Sequence, residues 1–394
     1  MDLMERESWV RLALTPYIGA ERFLALLKRF GSASAALSAP LVQVRDILNH
    51  RLAEQAWDDA QGKAQRAAEA ALKWEDQDGC RLMLLCDEDY PSILTEGITP
   101  PPLLFLRGNQ DYLHCSAVAI VGSRHATPQA IRIARDFAEE LSGCGVVVVS
   151  GMAAGIDTAA HQGALKRSGG TIAIWGTGMD FIYPRSNQAL AYQIAEQGLI
   201  ISEFPLGTRS LAGNFPRRNR IIAALAQATL VVEAAPESGS LITARLAAEM
   251  GREVMAVPGS IDNPRSKGCH KLIKEGAKLV ECLDDIVQEC PRLLQKQLMS
   301  SYSIYKQSYS ETESAVQQPS SVSTPSPASI NVEMNSKADA LLDAMGYDAV
   351  HPDSLALATS LPADEIYARL LELELEGVIA SMPGGRYQRI KRNH

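Results

Sequence analysis

The chain has 394 residues, 46% hydrophobic and 21% charged, the proportions of a globular protein with cores for about two to four domains. Its net charge of −8 excludes a chain-wide basic surface, so any nucleic-acid contact must be local. The acidic start Met1-Asp2-Leu3-Met4-Glu5 is unlike a secretory signal, and no apolar run approaches the ~18 residues of a membrane span. The seven cysteines are odd in number and form no C-x-x-C, which fits reduced thiols. A cytoplasmic protein without membrane insertion is expected.

Residues 1–75 have the periodicity of short helices: Leu12 to Ala20 holds a Pro/Gly turn, Phe23, Leu24, Leu26, Leu27 and Phe30 follow at helical spacing, and Gly31 stops the run. Residues 76–115 hold strand-like pieces, Arg81 to Leu85 and Leu103 to Leu106, around the loop Thr99-Pro100-Pro101-Pro102, and read as a connecting region. Over 116–290 the pattern changes. Six apolar runs recur, from Ala117, Val146, Thr171, Leu199, Thr229 and Glu253, separated by amphipathic stretches of helical length. Strands apolar throughout and alternating with helices predict an α/β fold, a doubly wound parallel sheet covered on both faces. Basic and acidic side chains balance there at 17 each, making it the least acidic part of the chain. Residues 291–335 read as a flexible linker, with eleven serines between 300 and 330. Residues 336–394 regain helical periodicity and close with Gly377-Val378-Ile379 and Gly384-Gly385-Arg386-Tyr387, the outline of a winged helix.

Ligands of such sheets bind outside the carboxyl ends of the strands. The loops there are Gly122-Ser123-Arg124, Ser150 to Asp157, Gly176 to Arg185, Ser202 to Arg220, Glu233 to Thr243, and Pro258-Gly259-Ser260. Any one glycine-bearing loop is explained by a tight turn. Five on one edge, beside Arg124, Arg185, Arg217, Arg218 and Arg220, point to a phosphate-bearing ligand, because free N–H groups at helix N-termini favour anions. A Walker A sequence, a complete dinucleotide fingerprint, a nucleophile elbow and metal-ligand spacings are all missing. Asp157 and Asp180 read as caps or turn formers. Phe181, Tyr183, Phe204 and Phe215 share loops with the arginines, either as core aromatics or as faces for stacked bases. A single-stranded nucleic-acid backbone fits this equipment.

Gly122-Ser123-Arg124, Ser150-Gly151-x-Ala153-x-Gly155-Ile156-Asp157, Gly176-x-Gly178-x-Asp180-x-x-Tyr183-Pro184, Phe215-Pro216-x-Arg218-Asn219-Arg220 and Ser238-Gly239-Ser240-Leu241-Ile242-Thr243 stand in the order and spacing of the DprA/Smf family, the DNA-processing protein A family, which residues 115–285 resemble closely. The resemblance implies an extended Rossmann-like domain that binds single-stranded DNA without catalysis and without a cofactor, between an N-terminal helical, SAM-like domain and a C-terminal winged helix. It implies a homodimer that binds RecA and loads it on incoming strands displaced from SSB in natural transformation. Carried over by position, Ser123 and Arg124 would contact phosphates. Arg218, Asn219 and Arg220 would complete a basic wall or fix its shape through hydrogen bonds. Gly122, Gly151, Gly155, Gly176, Gly178 and Gly239 would keep the loops close to the strand, with Ser238 and Ser240 flanking the last. Gln188 stands near where many relatives have a lysine, a contact that Arg185 would replace.

The alternative from another class is a nucleotide-processing enzyme of phosphoribohydrolase type. Its P-G-G-x-G-T-x-x-E loop is not matched by Ala234-Ala235-Pro236-Glu237-Ser238-Gly239-Ser240. For the tail, Arg386, Arg389, Lys391 and Arg392 suggest phosphate contact. Glu372, Glu374 and Glu376 oppose insertion of the third helix in a groove, which favours protein docking.

Overall fold

A computed structural model describes residues 1–58, 60–261, 263–291, 293, 341–342, 345, 349–359 and 361–390. Most of the expected linker therefore lies outside the described residues. Six helices, α1 (Leu3–Ala13), α2 (Ala20–Phe30), α3 (Ala33–Ser38), α4 (Leu41–Leu48), α5 (Arg51–Asp58) and α6 (Ala60–Glu75), open the chain. Gly31 ends α2 in the left-handed conformation (φ 81°), and its N–H closes on the Leu27 carbonyl. The cluster built on Val10, Leu12, Phe23 and Leu26 extends onto Leu82, Leu84 and Phe105, so these helices share a core with the first edge of the sheet.

The central sheet has nine strands: β1 (Cys80–Leu84), β2 (Leu103–Gly108), β3 (Ala117–Gly122), β4 (Val147–Ser150), β5 (Thr171–Trp175), β6 (Leu199–Ser202), β7 (Ala228–Val232), β8 (Glu253–Ala256) and β9 (Lys278–Leu279), in the order β1-β2-β6-β5-β4-β3-β7-β8-β9. From β6 to β9 every pairing is parallel. The stretch read as a connector supplies β1 and β2, which extend the sheet antiparallel beyond β6. Its backbone finds ladder partners there, so those apolar residues lie inside the sheet instead of between domains.

Strand alternation sorts the core into two faces. Val118, Ile120, Val148 and Leu230 point to the face covered by α7 (Pro128–Gly143), α8 (Ile156–Ala164) and α13 (Leu283–Glu289). Ala119, Val121, Val149, Ile174 and Val231 point to the opposite face, under α10 (Asn214–Leu225), α11 (Gly239–Glu249) and α12 (Lys267–Lys274). Helix α9 (Gln188–Gln197) packs Leu190 and Ile194 against Ala173 and Trp175. The fold is a mostly parallel α/β sheet flanked by an N-terminal helical domain and a C-terminal winged helix.

In the C-terminal domain, helices Pro352–Thr359 and Ala363–Leu375 precede a hairpin of β10 (Ile379–Met382) and β11 (Arg386–Arg389). Leu355, Ile366, Leu370, Leu373 and Ile379 form its core with Leu341, Leu342 and Met345. Val350 adds a bridge to Tyr387, which lengthens the wing by one pairing. The wing lies against the central domain, where Gln388 Nε2 donates to Gln129 Oε1 at 3.3 Å.

Candidate functional site

The strand order reverses between β3 and β7, and a crevice opens at the carboxyl ends of strands at such a switch point. A cavity of about 710 Å³ lies there, walled by Gly122 to Arg124, Tyr183, Phe215, Arg218, Asn219, and Ser238 to Thr243.

The loop after β3 is held from both sides. Ser123 N–H donates to the Glu233 carbonyl at 2.8 Å, and its own carbonyl accepts from Ile156 N–H at 3.2 Å. Thr127 caps α7, its hydroxyl oxygen accepting from Ala130 N–H at 3.2 Å. Thr127 is itself bound by Glu233: its N–H donates to Oε1 at 3.0 Å and its hydroxyl to Oε2 at 2.6 Å. Glu233 is buried and takes a left-handed backbone (φ 53°) to reach this position. Sequence reasoning placed Glu233 in a rim loop but missed this role; a carboxylate straight after an apolar strand was the signal. With both ends of the loop fixed, Arg124 is held outward, exposed, its guanidinium 5.5 Å from the Phe215 ring centroid. Arg124 has no ion pair among the described residues.

Beneath this loop, Gly155 has φ 80°, and a Cβ there would strike the Ser123 and Arg124 carbonyl oxygens. That close approach seats the N-terminus of α8 under the rim. Deeper still, Arg218 is only 4% exposed. Its Nη1 donates to the carbonyls of Ile174, at 2.5 Å, and Gly151, and its Nε to Asn219 Oδ1 at 3.1 Å. A side chain at Gly151 would lie about 2.5 Å from that guanidinium. Burial lowers the Arg218 pKa to about 10, against the opposing charge of Asp157, so it remains cationic at neutral pH. Burial raises Asp157, and the Arg218 charge holds it down. His161, fully buried with Nδ1 2.8 Å from Thr171 Oγ1, is pushed to about 3 by burial and then by the Arg218 charge, and is neutral.

The four residues 217–220 at the start of α10 face different ways. Arg217 lies over Phe204 at 5.3 Å, and Arg218 points inward. Asn219 turns its amide toward the Gly239 carbonyl, at 3.4 Å. Arg220 is ion-paired with Glu203 and donates to the Thr99 carbonyl at 3.0 Å, bordering a separate cavity near Pro16 to Arg22. Of the two roles expected of this run, a basic wall or hydrogen bonds that fix its shape, Arg218 takes the second, at the cavity floor, through backbone carbonyls. Arg220 lies outside the cavity, because one helical turn spreads consecutive residues around its axis.

Gly178 is buried where its loop crosses Pro205 and Leu206, and its N–H donates to the Thr208 carbonyl at 3.0 Å. It shapes the loop without reaching the cavity. Asp180 accepts Gly207 N–H at 2.8 Å, a bond that ties two distant loops together where a local cap or turn was expected of it. Arg185 is exposed beyond the cavity wall. Of the loop aromatics, Phe204 is buried, whereas Tyr183 is 43% exposed with its ring 5.5 Å from that of half-buried Phe215. On the far wall, Ser238 caps α11 by accepting Ser240 N–H at 3.3 Å; its Oγ lies 2.7 Å from Ser240 Oγ. Gly239 is exposed, with no atom within 4 Å of the position a Cβ would take.

The cavity thus combines an outward guanidinium, the exposed Tyr183 beside half-buried Phe215, and the N-terminus of α11, a set that suits a phosphate and a base. Asp157 and Glu237 also line it; the first sits against Arg218. No cluster of three or more metal-ligating side chains occurs among the described residues, and no described helix is long and apolar enough to cross a membrane.

Comparison with known proteins gives this arrangement a family. The family described as DNA recombination-mediator protein A matches residues 81–291, with a DprA winged helix domain matching 323–385 and a DprA-like N-terminal HHH domain matching 4–45. Protein Smf of Escherichia coli is 40% identical over 328 residues, 83% of this chain and 82% of its own. The crystal structure of DNA processing protein A (DprA) from Streptococcus pneumoniae superposes with a TM-score of 0.61 at 38% identity, covering 71% of this chain and 95% of that one. DNA processing protein A from Helicobacter pylori, in a structure described for its single-stranded DNA binding mode, covers 55% of this chain and 97% of its own at 29% identity and a TM-score of 0.50. The chain belongs to the DNA recombination-mediator protein A family.

Proposed function

We propose that the rim between β3 and β7 grips single-stranded DNA by its phosphates and stacks its bases on Tyr183 and Phe215, holding the strand without cleaving it. The observation that carries this reading is Arg124: exposed, without an ion pair among the described residues, over an aromatic ring and beside a helix N-terminus. Guanidinium and backbone N–H groups position phosphates, and aromatic faces accept any base, so binding is sequence-tolerant. The family description and the Helicobacter pylori relative support the same ligand. The chain acts as a mediator in natural transformation: as a dimer it takes the strand from SSB and passes it to RecA. Helix Ala363–Leu375 of the winged domain exposes Tyr367, Leu371 and Leu375 at fourfold spacing beside Glu372, Glu374 and Glu376, which suits a protein partner better than a DNA groove.

Fluorescence-anisotropy titration of oligothymidylate at two salt concentrations tests the ligand. Arg124→Ala is expected to weaken binding roughly tenfold or more and to lower the salt slope by about 0.7, one phosphate contact on a single strand. Tyr183→Ala should cost about 1–3 kcal/mol of affinity, with the fold unchanged. Unaltered binding in Arg124→Ala overturns the assignment.

A further inference from the structure

We infer that the strand does not end at the rim but continues into a second cleft, closed on its far side by the wing of the C-terminal domain; this extends the single-strand reading above and rests on it. A cavity of about 850 Å³ lies between the two domains. One wall is the β3–α7 loop from His125 to Pro128, the second is Asn263 to Arg265, and the third is the wing, with Ser381, Arg386 and Gln388. His125 follows Arg124 directly, so successive residues of one loop line the two cavities.

Charge is what makes this cleft informative. The chain as a whole carries 46 acidic residues against 38 basic ones, yet the described walls hold His125, Arg265 and Arg386 and no carboxylate. Neither Arg265 nor Arg386 forms an ion pair among the described residues. Of the acids beside it, Glu233 is buried with both oxygens bound to Thr127, and Glu374 accepts from the Ser381 N–H at 3.1 Å. Guanidinium groups without a carboxylate on two walls of one cleft give it a positive potential, which favours a polyanion there. Thr127, Asn263, Ser381 and Gln388 add neutral hydrogen-bonding side chains, the company in which phosphate and sugar are bound without sequence reading. The acidic helix Ala363–Leu375 and the basic wing thus differ in charge, and the wing is the part that lines the cleft.

The test uses the full chain and two labelled oligothymidylates, one of about 4 nucleotides that fills the rim and one of about 16 that reaches beyond it. Arg386→Ala and Arg265→Ala are each expected to weaken binding of the longer strand roughly tenfold and to lower its salt slope by about 0.7, leaving the shorter one unaffected. Arg386→Lys should recover the slope. If both alanine variants bind the longer strand like wild type while Arg124→Ala loses both strands, the rim holds DNA and the cleft does not. If wild type binds neither strand, or Arg124→Ala changes nothing, the rim reading itself fails and the cleft falls with it.

Discussion

Arginines stand both at the β1 edge of the central sheet and at the β3/β7 rim, and the two places treat them differently. At the β1 edge, Arg6 lies 2.7 Å from Glu75 and Arg81 lies 2.6 Å from Asp89 and 3.3 Å from Asp87, while Arg220 on α10 is paired with Glu203. At the β3/β7 rim, Arg124 meets an aromatic ring and solvent. The number of cations is therefore a poor guide to where an anion binds; whether each cation already has a carboxylate decides it. Arg218 is a third case, a charge placed under the rim and spent on backbone carbonyls and Asp157.

The comparison breaks most visibly at Arg218. Arg218→Ala strands Asp157 and two backbone carbonyls in the interior and is expected to cost about 3–5 kcal/mol of stability in chemical denaturation, whereas exposed Arg124→Ala should stay within about 0.5 kcal/mol. Equal stabilities would mean that the two arginines are not divided into floor and rim. A smaller effect comes from His161. Its pKa is about 3 in the fold against an ordinary 6.5, so between these values the unfolded chain binds a proton that the native state does not. Stability therefore falls as pH drops through that window, by about 2 kcal/mol at pH 5, and His161→Gln should flatten that part of the profile. The smallest effect belongs to the paired edge: Arg81→Ala should cost about 0.2–1 kcal/mol and leave oligothymidylate affinity unchanged. A loss of DNA binding in that variant would move the interface from the β3/β7 rim to the β1 edge.

Much of this molecule could be read from its sequence. The apolar runs at Ala117, Thr171 and Thr229 mark strands because a strand buried on both faces has no polar side to show. Arg124 was legible as a rim residue because it follows a strand and precedes a capped helix. The fates of Arg218 and Arg220 were not, since both lie in the same basic run and neighbours in a helix point in different directions. Nor could sequence sort the aromatics: Phe204 and Tyr183 occupy similar loops, and only packing buries one and exposes the other.

Local order in the chain was enough to settle the elements, the switch-point loops and the family motifs, since hydrophobic period and turn chemistry act over a few residues. Pairing was settled by the tertiary structure alone. Which arginine meets Glu203, which meets Asp157 and which meets no acid depends on residues far apart in the chain, and Coulomb energy follows distance in space and burial, not distance along the backbone.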